Sequence, residues 1–192
     1  FLKNDKICII GESGAGKTTI LHTILGLDYF DVNKISFDGK KIDLSLNEWQ
    51  NLFSYIPQNF FLLNDTIKNN ITFLEDEANF NAKRYYDSLK SADCNFIKKI
   101  DKGENFIVGE NGEHLSGGER QKIAIARSLY QNKSILILDE STSQINKNSE
   151  NIILNNLTNL DKIVIFVTHN NSNLEYFNKI YEVKSKKLTK IR

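Results

Sequence analysis

An α/β fold with a mainly parallel sheet core is predicted by three features of the sequence. Short apolar runs, Ile7-Cys8-Ile9-Ile10, Ile135-Leu136-Ile137-Leu138 and Ile163-Val164-Ile165-Phe166-Val167, have strand length and no polar face, as strands buried on both sides do. Segments of helical periodicity alternate with them, over residues 18–27, from Gly117-Gly118 to about Tyr130, and over 152–160. Between 60 and 115 the apolar positions again fall at helical spacing, as in Tyr85, Leu89 and Ala92 or Phe96, Ile97 and Ile100, which predicts a helical subdomain inserted into one domain spanning 1–192.

The remaining elements follow in order. The first strand ends in Gly11, and the helix after the glycines closes at Gly26. Residues 34–42 alternate apolar with polar on both sides of Asp38-Gly39, which predicts a solvent-facing antiparallel hairpin. Residues 49–56 are short and mixed, and Pro57 extends the backbone before it, so Gln58 opens a new segment. Residues 180–183 and 188–191 read as lysine-rich edge strands.

Composition excludes several classes. With 25 basic against 24 acidic side chains the charge is +1, so no global surplus draws the chain to nucleic acid or anionic lipid, and partners must be sought in local sites. At 192 residues, 40% of them hydrophobic, one ordinary core can be buried. The two cysteines, Cys8 and Cys94, read as unpaired thiols rather than a disulfide or metal site. The longest apolar runs are strand-sized, far short of the roughly 20 residues of a membrane helix, and the opening residues lack a signal-peptide pattern. A start at Phe1 without any methionine leads us to expect a piece of a longer protein, with a cytosolic location as the default.

Gly11-Glu12-Ser13-Gly14-Ala15-Gly16-Lys17-Thr18 carries the spacing Gly, four residues, Gly-Lys-Thr, between a predicted strand and a predicted helix. Glycines let successive backbone amides turn inward on phosphate oxygens, the helix start adds its positive end, Lys17 brings a cation to the outer phosphates, and Thr18 is placed to ligate Mg2+. Nucleotide binding is the inference, and the fold class becomes that of a P-loop NTPase, with Gly11 through Thr19 as the cofactor-binding stretch. Kinases, GTPases, helicases and transport ATPases share this loop, so the chemistry stays open at this point.

Asp139-Glu140 ends the second buried strand, where ligands sit in open parallel sheets. Because successive strand residues point opposite ways, Asp139 is expected in the magnesium shell, with Glu140 turned to polarise a water toward the terminal phosphate. His169 follows the third buried strand; a parallel neighbour of the Asp139 strand would bring its imidazole to the same rim.

Leu115-Ser116-Gly117-Gly118-Glu119-Arg120-Gln121 adds what the phosphate loop alone does not imply, and here the sequence resembles the nucleotide-binding domains of ABC transporters. Ser116 and the amides of Gly117 and Gly118 at a helix start form a second anion site. The resemblance implies head-to-tail pairing, in which ATP on the phosphate loop of one subunit is closed over by the 116–118 segment of the other. It runs through the phosphate loop, Gln58 after Tyr55-Ile56-Pro57, the signature, Asp139-Glu140 and His169 in family order. It implies that Gln58 contacts the metal and the attacking water, that Glu140 and His169 serve catalysis, and that Thr18, Gln58 and Asp139 hold Mg2+. The stretches Asn64-Asp65-Thr66-Ile67, Asn70-Ile71 and Val108-Gly109-Glu110-Asn111-Gly112 resemble exporter-type domains, the last being the family's contact loop for the membrane part.

Two departures stand out. Asn146 occupies a position where the family ends the loop after the catalytic glutamate in aspartate, so altered communication between the two sites is expected. The family's adenine-stacking aromatic lies on a strand upstream of Phe1, itself a poor substitute, so the resemblance implies a small, truncated antiparallel β subdomain, with weak ATP binding or self-association through the open edge of the 35–37 hairpin. The resemblance thus implies an ATP- and Mg2+-dependent hydrolase of an exporter-type transporter, paired with an identical or different ATPase domain, fused to a membrane part upstream and lying at the cytoplasmic face of the plasma (inner) membrane. The alternatives are an importer-type subunit, or a soluble ABC ATPase that clamps nucleic acid or the ribosome; residues 184–190 are the sole lysine-rich candidate for the latter, and no nucleic-acid partner is expected.

Overall fold

The computed structural model describes residues 2, 4–27, 36–37, 40–41, 45–185 and 187–192. The Asp38-Gly39 turn and Phe1 lie outside them. The chain divides into two units: Phe1–Tyr55, Lys133–Glu140 and Thr158–Arg192 form the first, and Ile56–Asn132 and Ser141–Leu157 the second.

The first unit is built on a six-stranded sheet. Its strands are β1 (Lys6–Ile10), β4 (Phe53–Ile56, whose last residue opens the second unit), β5 (Ile135–Asp139), β6 (Ile163–Thr168), β7 (Lys179–Lys184) and β8 (Lys187–Lys190), in the order β4-β5-β6-β1-β7-β8. β1 pairs in parallel with β6 and β7, and β5 with β6, whereas β8 returns antiparallel on β7. All five residues of β1 and of β5 are buried, the apolar runs 7–10 and 135–138 as strands covered on both faces require, and with them the charged Lys6 and Asp139 at one end of each. Ile7, Ile9, Ile137, Ile165 and Val167 form one cluster with Leu21 and Leu25 of helix α1 (Lys17–Leu25) and with Trp49 and Phe53.

Two expectations need correction here. Residues 53–56, read as mixed, form a strand: Phe53, Ser54 and Ile56 are buried beside β5, so no period-2 alternation shows. β7 is not an edge, since β1 and β8 flank it and Ile180 and Val183 are buried; only β8, exposed throughout, is the charged rim. Before β4 a short helix, α2 (Leu46–Gln50), opens on a capping box in which Glu48 N donates to Ser45 Oγ (3.3 Å) and Ser45 N to Glu48 Oε2 (2.8 Å). It seats Trp49, whose Nε1 donates to Ile24 O at 2.7 Å. The expected hairpin is present as β2 (Ser36–Phe37) and β3 (Lys40–Lys41), antiparallel with Phe37 opposite Lys40.

The second unit is helical. α3 (Ile67–Thr72) and α4 (Ala82–Ser91) pack on α5 (Gly117–Tyr130), several 3-10 turns fill the stretch between 95 and 112, and α6 (Lys147–Thr158) completes it. Arg127 of α5 ties this unit together: Nε donates to Asn70 O (2.7 Å), Nη2 to Asn70 Oδ1 (2.9 Å) and Nη1 to Phe61 O (3.0 Å). Asn70, fully buried, also accepts from Leu63 N at 2.8 Å and donates to Leu63 O at 2.9 Å, so neither end of its amide is left unmatched. Lys122 bonds Asp93 Oδ2 (2.7 Å) and Ser149 Oγ (2.9 Å), both side chains of the ion pair being nearly enclosed. Cys8 and Cys94 are free and buried; burial pushes the Cys8 thiol up to about 12 and that of Cys94 further.

Candidate functional site: a phosphate loop and its carboxylates

The turn from β1 into α1 sets the first part of the site. Ala15 N donates to Glu12 O (3.2 Å), and Gly16, at φ 102, lets the chain enter α1 from a backbone geometry that side-chain-bearing residues rarely adopt. A Cβ on Gly14 or Gly16 would meet nothing within 4 Å, so the inner curve of the loop is open. A cleft of about 380 Å³ lies between residues 11–15 and 182–185. Lys17, the first residue of α1, is 5% exposed; its Nζ donates to Gly11 O (2.9 Å) and Glu12 O (3.0 Å) and stands 3.3 Å from Glu140 Oε1. Thr18 and Thr19 follow on the exposed side of the helix start.

Asp139 closes β5 and is 1% exposed. Thr18 Oγ1 donates to its Oδ2 at 3.0 Å, and the Tyr55 hydroxyl reaches the same oxygen at 3.5 Å. Burial holds the Asp139 carboxyl above the usual range, the Glu140 charge adding to it while Thr18 and Lys17 oppose it. Glu140 faces elsewhere for a reason other than strand alternation: it lies beyond β5 in the left-handed region, φ 48, with its N–H donating to Val167 O (3.0 Å). That turn costs an L residue about 1 kcal/mol, a strain of the kind functional sites retain. It brings Glu140 Oε1 to Lys17 and Oε2 to within 3.4 Å of His169 Nδ1. The parallel register, Asp139 beside Val167, is what places His169 on this rim.

The structure therefore brings Lys17, Thr18, Asp139, Glu140 and His169 together in the first unit. Gln58, Ser116, Gly117 and Gly118 belong to the second. Gln58 is exposed and shares a polar cleft of about 340 Å³ with Asn59, Arg120, Gln121, Ser143 and Gln144. Ser116 caps α5 through a box with Glu119: Glu119 N donates to Ser116 Oγ (3.4 Å) and Ser116 N to Glu119 Oε2 (2.9 Å). Sequence reasoning passed over Tyr55 and Gln121. Gln121 left a signal, a polar residue on the buried stripe of α5 with Ala124, Ile125 and Ser128, where an amide needs a partner. Tyr55 left none, because β4 itself went unread.

A buried carboxylate beside a hydroxyl supplies hard oxygens of the kind Mg2+ takes while drawing its other ligands from phosphates and water. Fold and site together define a P-loop nucleoside-triphosphatase domain. The ABC transporter family profile matches residues 2–143. The ATP-dependent lipid A-core flippase of Aliivibrio fischeri is 41% identical over 173 residues, covering 88% of this chain and 30% of the flippase. The alpha-hemolysin translocation ATP-binding protein HlyB of Escherichia coli O157:H7 is 37% identical over 181 residues, covering 93% of this chain and 26% of that protein. Among solved structures, a bacterial Atm1-family ABC exporter with ATP bound superposes with a TM-score of 0.85 at 30% identity, covering 97% of this chain and 33% of the exporter. The chain belongs to the ABC transporter family, as an ATPase domain of the exporter type, and spans about a third or less of the length of these relatives.

Proposed function

We propose that this chain binds and hydrolyses ATP to power substrate translocation across a membrane, as the ATPase domain, 1–192 with a helical subdomain at 60–115, of an exporter-type ABC transporter. Two such domains pair head to tail, and a membrane part fused upstream carries the substrate path. That assembly puts the chain at the cytoplasmic face of the plasma (inner) membrane.

In this reading the amides of the 11–16 loop, with Lys17 and Thr19, hold the phosphates of ATP. Thr18, Asp139 and Gln58 hold Mg2+, which when bound neutralises charge on the phosphates. Glu140 takes a proton from the attacking water, and His169 orients the terminal phosphate. Ser116, Gly117 and Gly118 serve the ATP of the partner. The observation that supports it most is the joining of Lys17, Glu140 and His169 through two carboxylate contacts of 3.3 and 3.4 Å at the rim where Thr18 meets Asp139. Among the described residues no helix is long and apolar enough to cross a membrane, and the membrane path is assigned to the remainder of the protein.

Glu140→Gln in the full-length protein tests it. Turnover is expected to fall at least about a hundredfold, the contribution typical of a positioned general base, while ATP stays bound and the two ATPase domains stay together. Turnover like that of the parent would remove Glu140 from the mechanism.

A further inference from the structure

Gln121 fastens the loop after Glu140 to α5 within the second unit. It is 4% exposed, its Nε2 donates to Ser143 Oγ (3.1 Å), and its Oε1 accepts from Gln144 N (2.9 Å). With its backbone held this way, Gln144 lies against the signature glycines. A Cβ on Gly117 would fall 1.8 Å from Gln144 Oε1, and one on Gly118 would fall 2.9 Å from the Gln144 carbonyl oxygen. Ser116 is engaged as well, since its Oγ donates to Glu119 Oε2 at 2.7 Å and its N–H to the same oxygen at 2.9 Å. The Gln144 carboxamide thus lies against the Cα side of Gly117 at the start of α5, the end of a helix whose N–H groups and dipole favour an anion.

We propose that Gln144 is a built-in competitor for the terminal phosphate at the signature: its carboxamide occupies the approach to Gly117 until ATP carried by a second copy displaces it. The inference rests on the reading of 115–121 as the segment that closes over a partner's ATP. Two occupants cannot share one approach, so the apparent affinity for phosphate is multiplied by the fraction of time that Gly117 is uncovered. Gln144 is exposed, so its side chain swings on a fast timescale while Gln121 keeps the backbone in place. Its effect falls on the ATP concentration at which pairing occurs, because it covers a binding surface rather than the group that activates water.

The test uses the full-length protein in the Glu140→Gln background, so that ATP is not consumed, with Mg2+ present and the approach of the two ATPase domains followed by energy transfer during an ATP titration. Gln144→Ala is expected to lower the half-maximal ATP concentration about three- to tenfold, as removal of an occupant present roughly two-thirds to nine-tenths of the time would do. Gln144→Glu, of equal length but negatively charged, is expected to raise it, with the thermal midpoints of both variants at the parent value. A shift of both variants in the same direction together with their midpoints would reveal a purely structural residue and overturn the proposal. An unchanged or higher ATP requirement in Gln144→Ala overturns it too, while the functional reading stands. No ATP-dependent approach in any variant, the Glu140→Gln parent included, overturns both.

Discussion

Asp139 shows what enclosing a single carboxyl does to stability. Enclosed at the end of β5, its carboxyl is raised by burial, so its contribution to stability is present at low pH and is lost as pH rises through the folded value. Near neutrality a buried, ionised Asp139 is therefore a cost, and Asp139→Asn removes it. We expect the thermal midpoint at pH 7 with a chelator to rise in that variant, by about 2–4 °C for each kcal/mol relieved in a chain of this size, while Mg2+-dependent hydrolysis is lost. A midpoint at or below that of the parent would show that burial of the charge is compensated. The residues of this rim were largely legible from the sequence, because glycine spacing and strand-end carboxylates report chemistry directly. What stayed hidden was the cause of the Glu140 direction, a left-handed backbone that no side-chain pattern encodes, and the Tyr55 hydroxyl at 3.5 Å from Asp139.

At the scale of elements, α6 begins five residues earlier than the apolar pattern predicts, because its first turn, Lys147-Asn148-Ser149-Glu150, carries no apolar residue. The start is fixed by a cap instead: Ser149 N donates to Asn146 Oδ1 at 3.0 Å. Asn146, notable in the sequence as a departure from aspartate, thus has a local structural task whatever its part in communication between sites. Asn146→Ala should cost about 1 kcal/mol in a denaturant titration, whereas Asn146→Asp, an equally good cap at the positive end of the helix, should cost nothing. Equal losses in the two variants would separate the residue from capping. β1, β5 and β6 were legible because strands buried on both faces leave continuous apolar runs. The place of β7 was not, since its lysines, at Lys179 and Lys184, lie only at its ends while Ile180 and Val183 go inward.

Over the whole molecule, each unit carries its own source of cohesion: an isoleucine-rich sheet in the first, and polar clamps around α5 in the second. Asp93 in the second unit is pushed up by burial but brought below the ordinary 3.8 by hydrogen bonds from Lys122 and Ser149, the Lys122 charge and Asn95. Its contribution is complete above the unfolded value and is lost as pH falls through the lower folded one. Asp93→Ala leaves the Lys122 ammonium enclosed without its carboxylate and should cost about 3–5 kcal/mol at pH 7. With the acid-sensitive pair gone, its unfolding midpoint should also fall less steeply below pH 4 than that of the parent; parallel acid profiles would exclude the pair as the source. The two native thiols, finally, make the chain a quiet background for chemical probes. Cys8 and Cys94 are both buried and hard to ionise, so at neutral pH alkylating dyes and spin labels find little thiolate in the folded chain. A cysteine introduced at an exposed position such as Lys83 will take the label selectively, without first replacing either native residue.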